Sequence, residues 1–372
     1  ALWPKESGLM SHRDKPSYQA VAQNDPGTLG SDSPCFGAVD GQGPNGVTLT
    51  AGLLIADVIG AGILSASVAV AKLGWLLGTI VVVVLLAMNM HTSVLMWRVR
   101  MDCPQAHTYM GLVDAAFAND SSPRRRDAIV AFTGFCQYSS LFGVLCLYTV
   151  SFGKSLGMSF YDVHACLPTW TTLGCLLLMP LMVTSRSMGS LPSLMWVNLL
   201  TIVGTVAIPL WEMARRMEHG AHDYGERHAV APMSFATTVA GISAIAFAFS
   251  SQFLVVEIMS EMREPAKFPR AYGVSAPFQC FVLLLCGLGG YYFVGSNARG
   301  MILDNIPFGL NLQLAAACLL LHMLVTCLLK GIVFCRAIHT WCDRDGANEG
   351  SARGWALWGA IVTATLALTW VV

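Results

Sequence analysis

The stretch Leu53-Leu-Ile-Ala-Asp57-Val-Ile-Gly60-Ala-Gly62-Ile-Leu-Ser65 places an acid and two glycines inside an otherwise apolar run. Glycine leaves helical backbone angles at no steric cost, so a helix at this point can unwind and offer N–H and C=O groups to a ligand. Two small residues also permit close packing of one membrane helix on another. The stretch therefore predicts a membrane helix that is either broken at a ligand site or packed tightly against a neighbour.

The composition around this stretch is typical of a chain that lies in lipid. Hydrophobic residues make up 55% of the 372 residues and charged residues 12%, whereas about a quarter of the residues in soluble domains are charged. The 22 basic and 22 acidic residues balance, so no overall field attracts nucleic acid. We predict an integral membrane protein that has the lipid bilayer, and no nucleic acid, as a partner.

Nine segments are long and apolar enough to cross a bilayer, which takes about 20 helical residues. None shows the alternation of a barrel strand, and a backbone that spans lipid must satisfy its own hydrogen bonds. The sequence therefore predicts an all-α polytopic bundle. The predicted spans are 47–71, 75–97, 128–156, 169–185, 191–213, 233–258, 271–295, 310–335 and 354–372.

Residues 1–46 are rich in Gly, Ser, Pro and Asp and hold no apolar run, which predicts a disordered tail rather than a signal peptide. Residues 47–372 form the predicted transmembrane domain. Lysine and arginine are more frequent in the segments on the side of the tail, so we expect a cytoplasmic N-terminus. Lys330, inside the eighth span, is expected to extend its ammonium group towards the membrane surface. The missing initiator Met and the apolar end at Val372 lead us to expect a fragment cut at both ends.

Asp57 is an acid at membrane depth, where a carboxylate is costly and is rarely placed without a function. It shares a helical face with Gly60 and Ala61. We expect Asp57 to carry a proton or to bind the ammonium group of a substrate. The alternative is a structural acid that bonds to a neighbouring helix.

A second polar interruption lies in the sixth span, where Ser250, Ser251 and Gln252 follow the aromatic residues Phe247 and Phe249. This pattern predicts a second unwound stretch. Two interrupted helices five spans apart suggest an inverted repeat in which the first and sixth helices carry a site at the bilayer midplane.

Two further polar residues are candidates for gating or ion coupling. Glu257 lies deeper in the membrane than a loop acid should, near the predicted inner face, which suits an inner gate or a proton relay. Thr326 shares a face of the eighth span with His322, where its hydroxyl could join backbone carbonyls around a sodium ion; bonding to its own helix is the more common alternative. No CxxC pair or Cys/His cluster with metal-ligand spacing occurs in the sequence. We therefore predict no metal or other cofactor, and only a proton or sodium as coupling ion.

A series of short motifs follows in order along the chain: Gly60-Ala-Gly-Ile-Leu-Ser65, Ala71-Lys-Leu-Gly-Trp75, Leu141-Phe-Gly-Val144, Phe247-Ala-Phe249, Glu257-Ile-Met-Ser-Glu-Met262 and Phe268-Pro269. In order and spacing these motifs resemble the amino acid/auxin permeases, over roughly residues 45–345. The resemblance implies a leucine-transporter-type bundle of five-plus-five inverted repeats, usually with an eleventh helix, so that nine of eleven helices would be present here. It also implies uptake of amino acids coupled to protons or sodium.

The same resemblance implies which residues meet the substrate. By position, Gly60, Ala61, Gly62 and Ile63 match the family's unwound substrate-binding stretch in helix one, and residues 249–252 match that of helix six. Thr326 falls on the helix that completes a cation site in sodium-coupled members of this fold.

Two interrupted helices, buried acids and a charge-poor interior together favour a secondary transporter of amino acids that works by alternating access. An enzyme would need a catalytic constellation, and the sequence contains no metal-ligand set or nucleophile–base motif. A channel would need a repeated filter element. A transporter-like sensor that binds an amino acid without moving it is the alternative left open. We expect a neutral amino acid as substrate and a plasma membrane or a vacuolar/lysosomal-type membrane as location, and the sequence gives no sign of the oligomeric state.

Overall fold

The computed structural model describes residues 43–118, 122–186, 192–219, 225–232, 234–249, 251–343 and 351–371. This part of the chain is helical, and one bridge between Asn45 and Met262 is its only β pairing. Residues 1–42, most of the predicted tail, lie outside the described residues.

Eight helical stretches in the described part of the chain are long and apolar enough to cross a membrane. One of the eight combines α9 with α10, and another runs through α11 and α12. In chain order, the helices are α1 (Val47–Val58), α2 (Ala61–Leu64), α3 (Ala66–Leu73), α4 (Trp75–Asp102), α5 (Tyr109–Ala116), α6 (Pro123–Ser159), α7 (Leu167–Thr184), α8 (Pro192–Glu218), α9 (Phe235–Ala248), α10 (Gln252–Ser260), α11 (Phe268–Leu284), α12 (Gly290–Val294), α13 (Leu310–Cys342) and α14 (Ala352–Val371).

The first predicted span is divided into α1, α2 and α3, so it is too short in any one piece to be counted among the eight. Its backbone becomes extended at Gly60, with φ −109° and ψ −158°. Gly74 then ends α3 with φ +88°, a conformation that glycine adopts without strain. The prediction of a broken first helix is therefore confirmed.

α13 forms the centre of the bundle. In its most apolar 18-residue window 72% of the residues are buried, against 22% for the corresponding window of α4. Leu319, Met323 and Leu328 of α13 are fully buried, whereas Val83 and Val84 of α4 are half exposed. α13 packs mainly against α6 and α8. α13 is therefore a core helix, whereas the apolar surface of α4 faces lipid.

Two elements were not predicted from the apolar runs. α5 is too short to cross the membrane and begins after Thr108, whose hydroxyl accepts a hydrogen bond from the Gly111 N–H at 3.0 Å. A π-helical turn over Leu285–Gly289 links α11 to α12. Both are local departures from a regular spanning helix, so a search for apolar segments does not reveal them.

Candidate functional site

The break between α1 and α2 removes backbone groups from regular helical bonding. The Gly60 N–H turns back to the Val58 carbonyl at 2.9 Å, and the Ile63 N–H donates to the Gly60 carbonyl at 3.2 Å. No side chain in the described part of the chain caps the start of α2. The amide groups at this start, which carry the positive end of the helix dipole, suit an anionic partner.

A second break separates α9 from α10 at residues 249–251. The Ser251 N–H donates to the Phe249 carbonyl at 2.8 Å, and α10 also begins without a side-chain cap from the residues that the structure describes. Ser250, which was predicted to belong to this stretch, lies outside the described residues. The predicted interruption of the sixth span is thus present as a break between two helices.

The two breaks lie against each other. A Cβ atom added to Gly62 would lie 2.7 Å from the Ala248 Cα and 3.1 Å from the Phe247 ring. A Cβ atom added to Gly60 would overlap the Tyr148 hydroxyl. Both interpretations of the two glycines therefore apply, because they accompany a break in the helix and also permit the close approach of α6 and α9.

A small cavity lies between the breaks. Its volume is about 10 Å³, close to the minimum that holds one water molecule. Backbone at the first break, apolar side chains and one pair of opposite charges surround it. It is lined by Asp57, Val58, Gly60, Gly62, Val144, Tyr148, Phe247, Ala248 and Lys330.

Asp57 and Lys330 form a buried ion pair at the edge of this cavity. The Lys330 Nζ contacts Asp57 Oδ1 and donates to the Asp57 backbone carbonyl at 3.3 Å. Side-chain exposure is 2% for Lys330 and 0% for Asp57. The Nζ also lies 5.7 Å from the Tyr148 ring centroid and 5.3 Å from that of Phe253. A full charge from α13 is thus held next to the end of α1.

The expectation that Lys330 extends to the membrane surface is wrong. Its side chain stays in the core because the carboxylate of Asp57 compensates its charge there, which a bare lipid interior could not do. Sequence reasoning missed Lys330 as a site residue. The available signal was that the first span holds an unexplained acid and the eighth an unexplained base, two opposite charges that are best buried together.

The other residues predicted at the first break lie close by. Ala61 is in α2, between the two glycines that line the cavity. Ile63 is fully buried, and its carbonyl accepts a bond from the Cys286 Sγ at 3.1 Å. This bond joins α2 to the π-helical turn after α11.

The residues predicted at the second break divide into two groups. Phe247 lines the cavity, whereas Phe249 and Ser251 are buried but are not among its lining residues. Gln252 donates from its side-chain amide to Asn89 Oδ1 on α4. Gln252 therefore holds the start of α10 against α4 rather than pointing into the cavity.

Glu257 does not line the cavity and instead joins three helices. Its Oε1 accepts bonds from the backbone N–H of Tyr109, at the start of α5, at 3.1 Å and from Gln137 Nε2, on α6, at 3.2 Å. Gln137 also donates to the Phe253 carbonyl at 2.8 Å. A buried carboxylate on α10 thus fastens both the short helix α5 and the long helix α6.

Replacing Glu257 with alanine is expected to loosen α5. The Tyr109 N–H would lose its acceptor and the Gln137 amide one of its two acceptors, and a buried donor left without a partner costs about 1–3 kcal/mol. Hydrogen exchange of the α5 amides, followed by mass spectrometry, should become at least about tenfold faster. Glu257→Gln keeps an acceptor oxygen and should leave the exchange nearly unchanged, as should Glu264→Ala at an exposed position. Equal exchange in Glu257→Ala and in the unsubstituted protein would contradict this role.

Thr326 bonds to its own helix. Its hydroxyl lies 3.1 Å from both the His322 and Met323 carbonyls, which is the alternative stated above for this residue. His322 Nδ1 pairs with Asn198 Oδ1 on α8 at 2.7 Å. Thr326 nonetheless lies one helical turn from Lys330, on the same face of α13.

Metal-ligating side chains do not cluster in the described part of the chain. There, no group of three or more His, Cys, Asp or Glu residues is arranged to hold a metal ion. The groups that line the cavity are backbone at the first break, one ion pair, and apolar and aromatic side chains.

Comparison with known proteins gives relatives and a fold. Amino acid permease 6 of Arabidopsis thaliana is 23% identical over 338 residues, which cover 80% of this chain and 66% of the relative. Amino acid permease 1 of the same plant is 27% identical over 324 residues, which cover 75% of this chain and 62% of the relative. The chain thus spans slightly under two thirds of the length of these two relatives.

The solved structure of MhsT in complex with L-phenylalanine matches with a TM-score of 0.58 and 13% identity, and the match covers 88% of this chain and 80% of that one. The fold is therefore of the leucine-transporter type, as expected. The sequence pattern of the family described as transmembrane amino acid transporter protein, a family of transporters and not of enzymes, matches residues 44–372. This chain belongs to that family.

Proposed function

We propose that this protein is a secondary transporter that moves neutral amino acids across a membrane by alternating access, coupled to protons or sodium. The observation that carries the proposal is that two broken helices meet at one cavity, where the uncapped start of α2 and the end of α9 lie beside a buried ion pair. The family, and relatives that are named amino acid permeases, support the same function.

The substrate carboxylate would bind at the start of α2. The backbone amides that follow Gly60 lie at the positive end of a half-helix, which is how broken helices hold anionic substrate groups. The substrate side chain would lie against Val144, Tyr148 and Phe247, which line the same cavity. Among the described lining residues the two charged ones are paired with each other, so a neutral side chain fits best.

Alternating access would open this site to one side of the membrane at a time. A cavity of about 10 Å³ cannot hold even glycine, so binding requires the half-helices to separate. Glu257, which fastens α5 and α6 to α10, would act as an inner gate. Asp57 or Glu257 would carry the coupling proton. We place the N-terminus in the cytoplasm and the protein in a plasma membrane or a vacuolar/lysosomal-type membrane.

Uptake by proteoliposomes that contain the purified full-length protein tests the proposal. We expect a labelled mixture of neutral amino acids to accumulate at least about tenfold faster under an imposed proton gradient, and Asp57→Asn to lose most of this acceleration. Asp162→Asn, at an exposed acid, is the matched control and should transport normally. Elution of both variants as single species in size-exclusion chromatography checks their folding.

One outcome would count against the proposal, and another would decide which acid couples the proton. Binding of amino acids without uptake under either a proton or a sodium gradient would indicate a sensor instead of a transporter. Proton-driven uptake that survives Asp57→Asn would move the coupling role to Glu257.

A further inference from the structure

We propose that the Lys330 ammonium group is a built-in cation, which occupies the place beside the broken helix where a sodium-coupled transporter would bind a free ion. Amino-acid transport by this protein then needs no sodium. This inference extends the transport function proposed above. The sodium independence of transport rests on that function, whereas the role of Lys330 as the resident cation is tested without measuring transport.

The oxygen atoms around the Lys330 Nζ are those that a sodium ion would use. One is the Asp57 carboxylate, and the other is the Asp57 backbone carbonyl, 3.3 Å away. Carbonyls freed at a half-helix C-terminus are the usual ligands of a coupling cation in broken-helix transporters. Asp57 lies in the last turn of α1, where the helix dipole adds negative potential.

The rest of the environment suits an ammonium group better than a bare ion. The faces of Tyr148 and Phe253 lie 5.7 and 5.3 Å from the Nζ, within the range of about 6 Å at which an aromatic ring attracts a cation. A lysine stem fills the apolar space that leads to these rings, and the side chain is buried along its whole length.

The threonine predicted as a sodium ligand is consistent with this assignment. Thr326 lies one turn before Lys330 on α13, and its hydroxyl bonds to carbonyls of its own helix at 3.1 Å. The long side chain of Lys330 therefore delivers the positive charge from the same helix face on which a sodium site was expected.

Charge balance distinguishes a site filled by the Lys330 ammonium group from a site that binds a sodium ion. With Lys330 present, the ion pair is neutral, and a sodium ion would add one uncompensated charge to a buried site. With Lys330 replaced by a neutral residue, Asp57 would be an unpaired buried carboxylate next to a free carbonyl. Such a site should recruit a cation from solution.

Thermal unfolding of the purified full-length protein in sodium chloride or choline chloride, at equal ionic strength, tests the inference without any need for transport. The unsubstituted protein should melt at the same temperature in both salts. Lys330→Gln should melt several degrees higher in sodium chloride, with a saturable dependence on sodium concentration. The double variant Lys330→Gln/Asp57→Asn should lose this difference.

Three melting results would overturn the inference: sodium-specific stabilisation of the unsubstituted protein, no sodium effect in a folded Lys330→Gln variant, or a sodium effect that persists in the double variant. If Lys330→Gln is folded only when sodium is present, its unfolding after exchange into choline is the expected effect in its strongest form.

Uptake measurements distinguish failure of this inference from failure of the transport function. Uptake driven only by a sodium gradient would overturn the inference and leave the transport function standing. Absence of uptake under any gradient, combined with the expected melting pattern, would overturn the transport function and leave Lys330 as the resident cation.

Discussion

Replacement of Lys330 by methionine is expected to lower the free energy of unfolding by about 3–5 kcal/mol, because it leaves a buried carboxylate without its partner. Asp57 has no other charged partner within salt-bridge distance among the described residues, and the cavity beside it is too small for more than about one water molecule. Equilibrium unfolding in mixed detergent micelles with increasing Tris dodecyl sulfate, in a sodium-free buffer so that sodium cannot pair with Asp57, would measure the change.

The double variant Lys330→Met/Asp57→Asn provides the main control. It removes both charges, so most of the lost stability should return, which gives a large coupling energy between the two positions. Lys267→Met breaks an exposed ion pair with Glu264 and should cost about 1 kcal/mol or less. If Lys330→Met costs no more than Lys267→Met, the ion pair contributes little and the buried-charge argument fails.

Gly62→Ala is expected to weaken amino-acid binding by about tenfold or more. The new methyl group would lie 2.7 Å from the Ala248 Cα, a backbone atom that cannot rotate away as a side chain can. Gly62 also lines the cavity, so the methyl group takes space that the substrate needs even after the breaks have separated. Overpacking of this kind costs about 1–3 kcal/mol, and each 1.4 kcal/mol changes affinity about tenfold. Binding of a labelled neutral amino acid to the purified protein would measure the loss.

The matched control for this variant is Gly143→Ala on α6. A Cβ atom there meets no atom within 4 Å, so binding and stability should stay within error of the unsubstituted protein. Unchanged affinity in Gly62→Ala would show that the substrate does not bind in the space beside Gly62.

Local patterns were sufficient to predict the spans and both breaks. An apolar run of the right length makes a spanning helix whatever its neighbours are, and Gly60 and Gly62 mark the weak point of the first one. Pairings across the fold were not predictable in this way. Asp57 and Lys330 are 273 positions apart, and the sequence around either residue gives no indication of its partner. The contact between Gln252 and Asn89 was missed for the same reason.

Thr326 and α5 show two further limits. A hydroxyl on a helix can bond to its own backbone or to a ligand. The general habit of threonine favours its own backbone without excluding the ligand, and the geometry shows that Thr326 bonds to its own helix. α5 is held by a cap at Thr108 and by Glu257 from α10. Its place depends on a tertiary contact rather than on its own hydrophobicity.

The bridge between Asn45 and Met262 is a tether that depends on the backbone rather than on side-chain chemistry. The Asn45 N–H donates to the Glu261 carbonyl at 3.0 Å, and the Arg263 N–H donates to the Asn45 carbonyl at 2.8 Å, so the start of α1 is tied to the end of α10 by main-chain atoms. Because main-chain atoms make these bonds, they do not depend on side-chain chemistry, whereas the burial of Asn45 and Met262 limits the size of a replacement. Gly43 is the exception, since any side chain there would collide with the Glu261 backbone. A substitution at Gly43 would therefore disrupt the tether between the start of α1 and the end of α10.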